Sequence, residues 1–330
     1  MEPPHERVVV TTVDYHTAGE PFRIVTGGVD SIPGGTILEK RRYALQHLDH
    51  VRRLLVNEPR GHADMYGCFV TEPEDEGAEL GVLFFHNAGF STACGHGTIA
   101  LATAALETGM LPKEEPETRL AIDVPSGRLP VVVELRDGRV ERVRFRNVPA
   151  YVAADGLQVA GHRVDVAFGG AFYASVEVPG RVRPRELSAL VGLGREVKRA
   201  LEAEREWAHP EEPELRDIYG VIFWQREPGP GVRQRNVTVF ADGEVDRSPC
   251  GSGTSARLAL LDASGELPRG ETMHHLSVVG TQFDGRVVGE AEVAGRAAVV
   301  TEIAGSAHLT GYHRFVLEPD DELGTGFLLR

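Results

Sequence analysis

Short apolar runs and strict alternation dominate this chain, and both predict strands; a few longer stretches carry helical spacing instead. Residues 7–14 form an apolar, β-branched run and 22–25 a second one. Between them Asp14-Tyr-His-Thr-Ala-Gly-Glu-Pro21 is polar and holds Gly and Pro, which predicts a turn. That turn either edges a site, with His16, Thr17 and Glu20 available, or is a plain polar exit from a strand. Residues 37–55 place Leu38, Tyr43, Leu45, Leu48, Val51 and Leu54 near helical spacing among many charges, as an amphipathic surface helix does. A polar turn at 58–62 runs into a strand containing Cys68, which reads as a small buried hydrophobe. After an acidic loop at 72–79 and an apolar strand at 80–85, residues 98–109 are apolar on nearly every side. Such a helix belongs in the middle of a domain, with Gly109 as its C-terminal cap and Cys94 at its start.

The second half reads similarly. Residues 119–123 and 129–135 are strands around the turn Pro125-Ser-Gly127, and Asp137-Gly138 tips a hairpin into 140–145. Residues 164–174 form a strand interrupted by Gly169 and Gly170, which mark a bulge or the close approach of a ligand. A charged helix spans 185–207, strands follow at 218–224 and 236–240, then a helix at 254–261, alternating strands over 276–302 and one more strand in the tail.

The two halves repeat a motif. Setting Ser91-Thr-Ala-Cys-Gly-His-Gly-Thr-Ile-Ala100 against Asp246-Arg-Ser-Pro-Cys-Gly-Ser-Gly-Thr-Ser-Ala-Arg257 pairs Cys94 with Cys250, Gly95 with Gly251, Gly97 with Gly253 and Thr98 with Thr254. The register holds at Phe84 and Phe240, Gly109 and Gly265, and Leu111 and Leu267. The chain therefore reads as two copies of one unit, each presenting a cysteine at a helix start.

Composition narrows the chemistry. At 330 residues two domains are expected, and 42% hydrophobic with 25% charged residues is ordinary for a soluble protein. No apolar run is long enough to span a membrane, and the start lacks a secretory pattern, so a cytoplasmic enzyme without a membrane partner is expected. A net charge of −14 argues against a nucleic-acid partner. Three cysteines, Cys68, Cys94 and Cys250, make no disulfide framework and no ligand-spaced metal cluster. Lys40, Lys113 and Lys198 sit in surface-like contexts, which argues against a pyridoxal phosphate Schiff base. No cofactor is expected.

A helix start carries unpaired N–H groups and partial positive charge, and flanking glycines let an anion approach them. The same field is expected to lower a thiol pKa from about 8.5. Two such ends facing across a cleft would hold one carboxylate and set a thiol on each face of the adjacent α-carbon. One thiolate removes the α-proton and the other thiol protonates the opposite face, inverting configuration. The cradle's N–H groups offset charge developing on the carboxylate.

At these residues the chain resembles the proline racemase family, which includes hydroxyproline 2-epimerases and trans-3-hydroxy-L-proline dehydratases. Cys94-Gly-His-Gly-Thr-Ile-Ala100 and Asp246-Arg-Ser-Pro-Cys-Gly-Ser-Gly-Thr254 resemble its two catalytic motifs. Asp14 to Pro21, Glu58-Pro-Arg-Gly-His62, Val166-Ala-Phe-Gly-Gly170 and the tail also fit, so the likeness covers nearly the whole chain. It implies a diaminopimelate-epimerase-like α/β fold: two pseudo-symmetric units, each a curled sheet around a central helix, with the site in the cleft. The division then runs 1–123 plus 306–330 for the first unit and 124–305 for the second. The resemblance makes Cys94 and Cys250 the acid/base pair, with Gly95, His96, Asp246, Gly251 and Ser252 binding a proline-like imino acid, and a homodimer is expected by analogy. Dehydratases of the family usually carry Thr where this chain has Cys250, which favours racemisation or epimerisation. Asn87 to Cys94 and Gly61 to Cys68 lean instead toward the dehydratases. Inversion is the expected activity, with dehydration of trans-3-hydroxy-L-proline as the alternative and a silent amino-acid-binding protein as the reading from another class.

Overall fold

The computed structural model of the chain describes residues 7–329. Its first part runs β1 (Val8–Thr17), β2 (Glu20–Gly27), α1 (Ile37–His47), α2 (Asp49–Val56), β3 (Tyr66–Thr71), β4 (Leu80–His86), β5 (Gly89–Phe90), α3 (Gly95–Glu107), β6 (Glu117–Val124), β7 (Gly127–Arg136) and β8 (Arg139–Arg146). The second runs β9 (Tyr151–Val159), β10 (His162–Phe168), β11 (Phe172–Glu177), α4 (Leu187–Glu204), β12 (Ile218–Arg226), β13 (Val232–Phe240), β14 (Glu244–Asp246), α5 (Gly251–Ala263), β15 (Met273–Leu276), β16 (Gln282–Val293) and β17 (Arg296–Gly305). A last strand, β18 (Ala307–Leu317), returns to pair with β1.

Parallel neighbours cannot be joined by a tight turn and need a crossover, and the helices stand at those crossovers. α1 and α2 bridge the parallel pair β2 and β3, and α3 bridges β4 and β6. In the second part α4 bridges β11 and β12, and α5 bridges β13 and β15. The antiparallel pairs repeat in step: β1 with β2 as β10 with β11, β3 with β4 as β12 with β13, and β7 with β8 as β16 with β17. β18 flanks β1 as β9 flanks β10, and β8 joins β17 at the seam between the halves. The sequence repeat is thus a repeat of pairings. In the order of pairings the repeat turns over between β8 and β9, since β6 pairs with β4 and carries β7 and β8 with it.

Each half wraps its sheet around one helix. Every residue of α3 from Gly95 to Leu106 is buried, and α5 is buried apart from its last turn. A helix apolar all round has no face for solvent and must be enclosed. Gly109 and Gly265 follow the two helices with φ of 76° and 72°, the left-handed position that a helix end favours for glycine.

Several expectations change. The polar stretch 14–21 is not a loop: β1 and β2 run through it, and only Ala18 and Gly19, at φ 52° and 93°, make the turn. Its polar side chains stay inside because partners come to them. Arg23 Nε and Nη2 reach the Asp14 carboxylate at 3.0 and 2.8 Å, and Nη1 donates to the carbonyls of Leu55 and Arg60. The helix expected over 37–55 breaks at Leu48 into α1 and α2. Lys40 is buried, donating to the Glu72 carbonyl at 2.5 Å. Gly169 and Gly170 form the turn between β10 and β11, and what approaches Gly169 is the protein's own α5. A Cβ there would lie 2.4 Å from the Ser252 carbonyl oxygen. β9 was not expected; it carries Gly156 at φ 67° and its pairing with β10 is irregular, so its alternation is broken.

Arg23 is buried against Asp14 with the Phe315 ring 4.1 Å from its guanidinium carbon. Removing one partner of a buried pair leaves the other charge uncompensated. Arg23→Ala should lower unfolding free energy by about 3–5 kcal/mol in urea melts.

Candidate active site

The two central helices meet end to end. A Cβ built on Gly95 would sit 2.5 Å from Gly251 Cα, and one on Gly251 would sit 2.6 Å from Gly95 Cα. No side chain fits between them. Each thiol then lies over the next glycine: a Cβ on Gly97 would be 2.8 Å from Cys94 Sγ, and one on Gly253 2.9 Å from Cys250 Sγ. The repeated Cys-Gly-X-Gly is therefore a steric requirement, met twice. Thr98 and Thr254 also repeat for a reason, since each hydroxyl donates back to its cysteine's carbonyl, at 2.9 and 2.7 Å.

The two caps differ in detail. Cys94 is extended, at φ −155° and ψ 97°, and its sulfur accepts the Gly97 N–H at 3.2 Å. His96 Nε2 stands 3.3 Å from the same sulfur, and His96 Nδ1 lies 3.6 Å from Asp246 Oδ2. Cys250 sits at φ 63° and ψ 103°, a strained conformation for a residue with a side chain, and its sulfur does not cap its helix. Its neighbour is the Tyr173 hydroxyl at 3.8 Å, which in turn lies 2.6 Å from Ser252 Oγ. Cys94, Gly95, His96, Asp246, Gly251 and Ser252 are thus gathered around one place. His16 is not among them; it packs against His308 on the neighbouring strand. Cys68 lies in the core of β3, its thiol pushed up by burial.

Residues of the first half hold the segment from β14 to Arg247 that carries Asp246. Glu20 Oε2 accepts the Arg247 N–H at 2.6 Å, Asp64 Oδ1 accepts the Val245 N–H at 3.1 Å, and Asp64 Oδ2 pairs with the Arg247 guanidinium at 2.7 Å. On the other side Thr92 donates to the Gly170 carbonyl at 3.0 Å. Asp64, Tyr66, Ser91, Tyr173 and Tyr219 were not singled out from sequence, because each reaches the site through partners distant along the chain. The Tyr66 hydroxyl bonds Ser91 Oγ at 2.5 Å and the Tyr219 hydroxyl at 2.8 Å. Its ring packs edge-on to His96 at 4.9 Å. A cavity of about 720 Å³, lined by His86, Ser91, Thr92, Ala171 and Tyr219 among others, opens onto this hydroxyl cluster from between the halves.

Burial governs the electrostatics. Both thiols were expected to be acidified by their helix ends, and the opposite holds. Burial drives the Cys94 thiol well above its ordinary value against the pull of the Gly97 amide, with Asp246, Cys250 and Glu20 adding to the rise. Burial, then Asp246, pushes Cys250 up to about 12. Burial also raises the Glu20 carboxyl well above its ordinary value, with Asp246 adding to it, and Glu20 Oε1 is enclosed without a hydrogen-bond partner. A place that buries two carboxyls, two thiols and an imidazole, while Arg247 is engaged by Asp64, suits a ligand that brings its own positive charge. No cluster of three or more His, Cys, Asp or Glu able to hold a metal is present among the described residues.

The fold is a mixed α/β one of the diaminopimelate-epimerase-like kind. The chain belongs to the proline racemase family, whose sequence profile matches residues 12–328. A trans-3-hydroxy-L-proline dehydratase of Bacillus thuringiensis subsp. konkukian is 46% identical over 328 residues, covering 97% of this chain and 98% of its own. A 3-hydroxyproline 2-epimerase of Burkholderia multivorans is 45% identical over 331 residues, again covering 97% and 98%. The crystal structure of a hydroxyproline epimerase from Agrobacterium vitis with bound trans-4-hydroxy-L-proline superposes with a TM-score of 0.90 at 32% identity. That match covers 98% of this chain and 96% of the other. Among the described residues no helix is long and apolar enough to cross a membrane.

Two measurements probe this geometry. Gly95→Ala or Gly251→Ala forces the helix ends apart, and each should cost about 1–3 kcal/mol in thermal or urea unfolding. The second concerns His275, which accepts from Asn236 Nδ2 at 2.8 Å and bonds Thr254 Oγ1 at 2.8 Å, bracing the start of α5. Burial lowers His86 and His275 to about 3, so both are neutral when folded and take up protons on unfolding below their ordinary 6.5. Their stabilising contribution is complete above 6.5 and falls as pH drops toward 3, by up to about 1.4 kcal/mol per pH unit for each imidazole. Urea melts between about pH 4.5 and 6.5 should show this slope, and His275→Gln should remove close to one proton of it.

Proposed function

We propose that this enzyme inverts the α-carbon of proline or a hydroxyproline without a cofactor, with Cys94 and Cys250 acting as base and acid on opposite faces of the substrate. The observation that carries this reading is the end-to-end meeting of two helices at Gly95 and Gly251, with a cysteine at each start. Amides of Gly95, His96, Gly251 and Ser252 at those ends supply donors for one carboxylate. Asp246, with His96 beside it, takes the substrate's ammonium. The α-carbon between these groups then presents its two faces to the two thiols.

The raised thiols fit such a cycle. Asp246 adds to the rise at both sulfurs, and an ammonium seated against it offsets that carboxylate charge. The substrate thereby lowers the cost of the thiolate that attacks it, and both thiols stay protonated and unreactive until it arrives. The carbanion formed is stabilised by the same amides that hold its carboxylate.

Dehydration of trans-3-hydroxy-L-proline is a second reading, supported by the 46% identical dehydratase and by the Tyr66, Ser91 and Tyr219 hydroxyls beside the cavity. It needs one base and help for a departing hydroxyl, and leaves the second thiol without a task. Incubation with L-proline, trans-4-hydroxy-L-proline and trans-3-hydroxy-L-proline in D2O separates the two. Deuterium at Cα with inversion is the expected result. Loss of water from the 3-hydroxy substrate, with no inversion of the others, would establish the dehydratase instead.

A further inference from the structure

Tyr173 is fully buried within the second half and touches the sulfur that the reading above makes a reacting atom. Its ring is fixed in an apolar cluster with Ala167, Ile222, Trp224 and Ala256, and Tyr219 packs edge-on to it at 5.7 Å. Its hydroxyl has two neighbours, Ser252 Oγ at 2.6 Å and Cys250 Sγ at 3.8 Å. We propose that Tyr173 is a positioning residue for Cys250, accepting a hydrogen bond from the thiol and donating one to the thiolate. The proposal rests on the two-thiol reading.

An inverting enzyme uses each thiol as an acid in one direction and as a base in the other. At a buried position no water exchanges in to suit each state, and an unsatisfied group is costly. A thiol wants an acceptor, whereas a thiolate wants a donor. A hydroxyl backed by a second hydroxyl supplies either by rotation. With Cys250 protonated, S–H points to the Tyr173 oxygen and the tyrosine O–H to Ser252. When the Cα carbanion takes the proton, the S–H bond breaks, a Cα–H bond forms and the electron pair stays on sulfur. Tyr173 O–H then turns to the sulfur, and Ser252 O–H turns to the tyrosine oxygen. No further proton moves.

Geometry favours this assignment at Cys250 in particular. Cys94 uses its sulfur to cap α3 and has His96 beside it, so its partners are an amide and an imidazole. The Cys250 backbone, at φ 63°, leaves its sulfur without the cap hydrogen bond that Cys94 makes; the Gly253 amide still favours its thiolate, and the Tyr173 and Thr238 hydroxyls stand where Cys94 has an imidazole. The groups facing Cys250 are Asp246 from β14, Tyr173 from β11, Thr238 from β13, Tyr219 from β12 and Cys94 from α3. Asp246 opposes a thiolate, while the Gly253 amide and then the Tyr173 and Thr238 hydroxyls support one. Of the two hydroxyls, Tyr173 also bonds a residue of the carboxylate cradle, which ties the sulfur's state to the substrate's seat.

The test compares Tyr173→Phe with 3,5-difluorotyrosine at position 173, a stronger donor of the same shape. The rate of iodoacetamide labelling at Cys250 relative to Cys94, resolved by peptide mass mapping across about pH 7–10, reads the thiolate population. Tyr173→Phe should lower that ratio about ten- to hundredfold and lower kcat for inversion similarly, with KM little changed. Difluorotyrosine should raise the ratio. Opposite shifts at one sulfur are not what a merely structural tyrosine produces. An unchanged ratio in both proteins, or equal movement of both cysteines, would overturn the proposal. If Tyr173→Phe fails to fold, the difluorotyrosine arm decides alone. Cys250→Ser separates the two levels. Full inversion by that variant would sink the two-thiol reading itself, whereas its loss beside an unaffected Tyr173→Phe enzyme would remove only the role of Tyr173.

Discussion

Backbone meets backbone where Gly95 faces Gly251, and most of the molecule follows from that contact. Two helix starts this close tolerate no Cβ between them, and two thiols folded back over Gly97 and Gly253 tolerate none there either. Both helices must then be enclosed on every side, because their only open ends are turned toward each other. Each sheet curls around one helix, and β8 and β17 close the seam that holds the two enclosures in one orientation. Glu20 and Asp64 reach across from the first half to fix the residues around Asp246. Those two acids do for the polar loop what the glycines do for the helices.

The repeat is close in its pairings and unequal in its chemistry. Only the second half places a carboxylate, Asp246, just ahead of its cysteine, and only the first follows its cysteine's glycine with a histidine. The backbone responds. Cys94 caps its helix in an extended conformation, while Cys250 takes a positive φ that costs of order 1–3 kcal/mol for a residue with a Cβ. Such a cost persists only where surrounding structure over-determines the conformation. Here Ser248 Oγ holds the Cys250 N–H at 3.1 Å, and the Ser248 N–H is itself held by Asp246 at 2.7 Å. The same Asp246 that pushes both thiols up therefore also helps fix the strained residue.

What the sequence made legible was what repeats or alternates. The Cys-Gly-X-Gly pair, the two enclosed helices, their glycine stops and most strands came from periodicity and register. What stayed hidden was the fate of polar residues whose partners lie far along the chain. Residues 14–21 looked like a loop because polar side chains in a strand usually face water, yet Asp14, Thr17 and Glu20 are buried against Arg23, His96 and Arg247. Tyr173 and Tyr66 looked like ordinary core aromatics, and their hydroxyls acquire meaning only through Ser252, Ser91 and Tyr219. The thiols' direction of shift was misjudged for a related reason. A helix start is visible in sequence, whereas the burial that outweighs it is a property of the assembled cleft.

Inversion and elimination share their first step, loss of the α-proton to a thiolate, and part company over what the carbanion does next. On the two-thiol reading a proton waits on the far face at sulfur, so reprotonation needs only a short transfer within a fixed geometry. Elimination needs the C3–O bond to align with the carbanion and a donor to meet the departing hydroxyl. The hydroxyls near the cavity belong to Tyr66, Ser91 and Tyr219, and the Tyr66 ring packs edge-on to His96, whereas the Tyr173 hydroxyl bonds Ser252 and neighbours the Cys250 sulfur. The two sets adjoin where Tyr219 packs edge-on to Tyr173, one set lying beside the open cavity and the other beside the Cys250 sulfur. A substrate with no 3-hydroxyl has only one exit from its carbanion, whatever the cavity offers. A 3-hydroxy substrate has two, and on the two-thiol reading a proton already in place on Cys250 would bias the choice toward inversion.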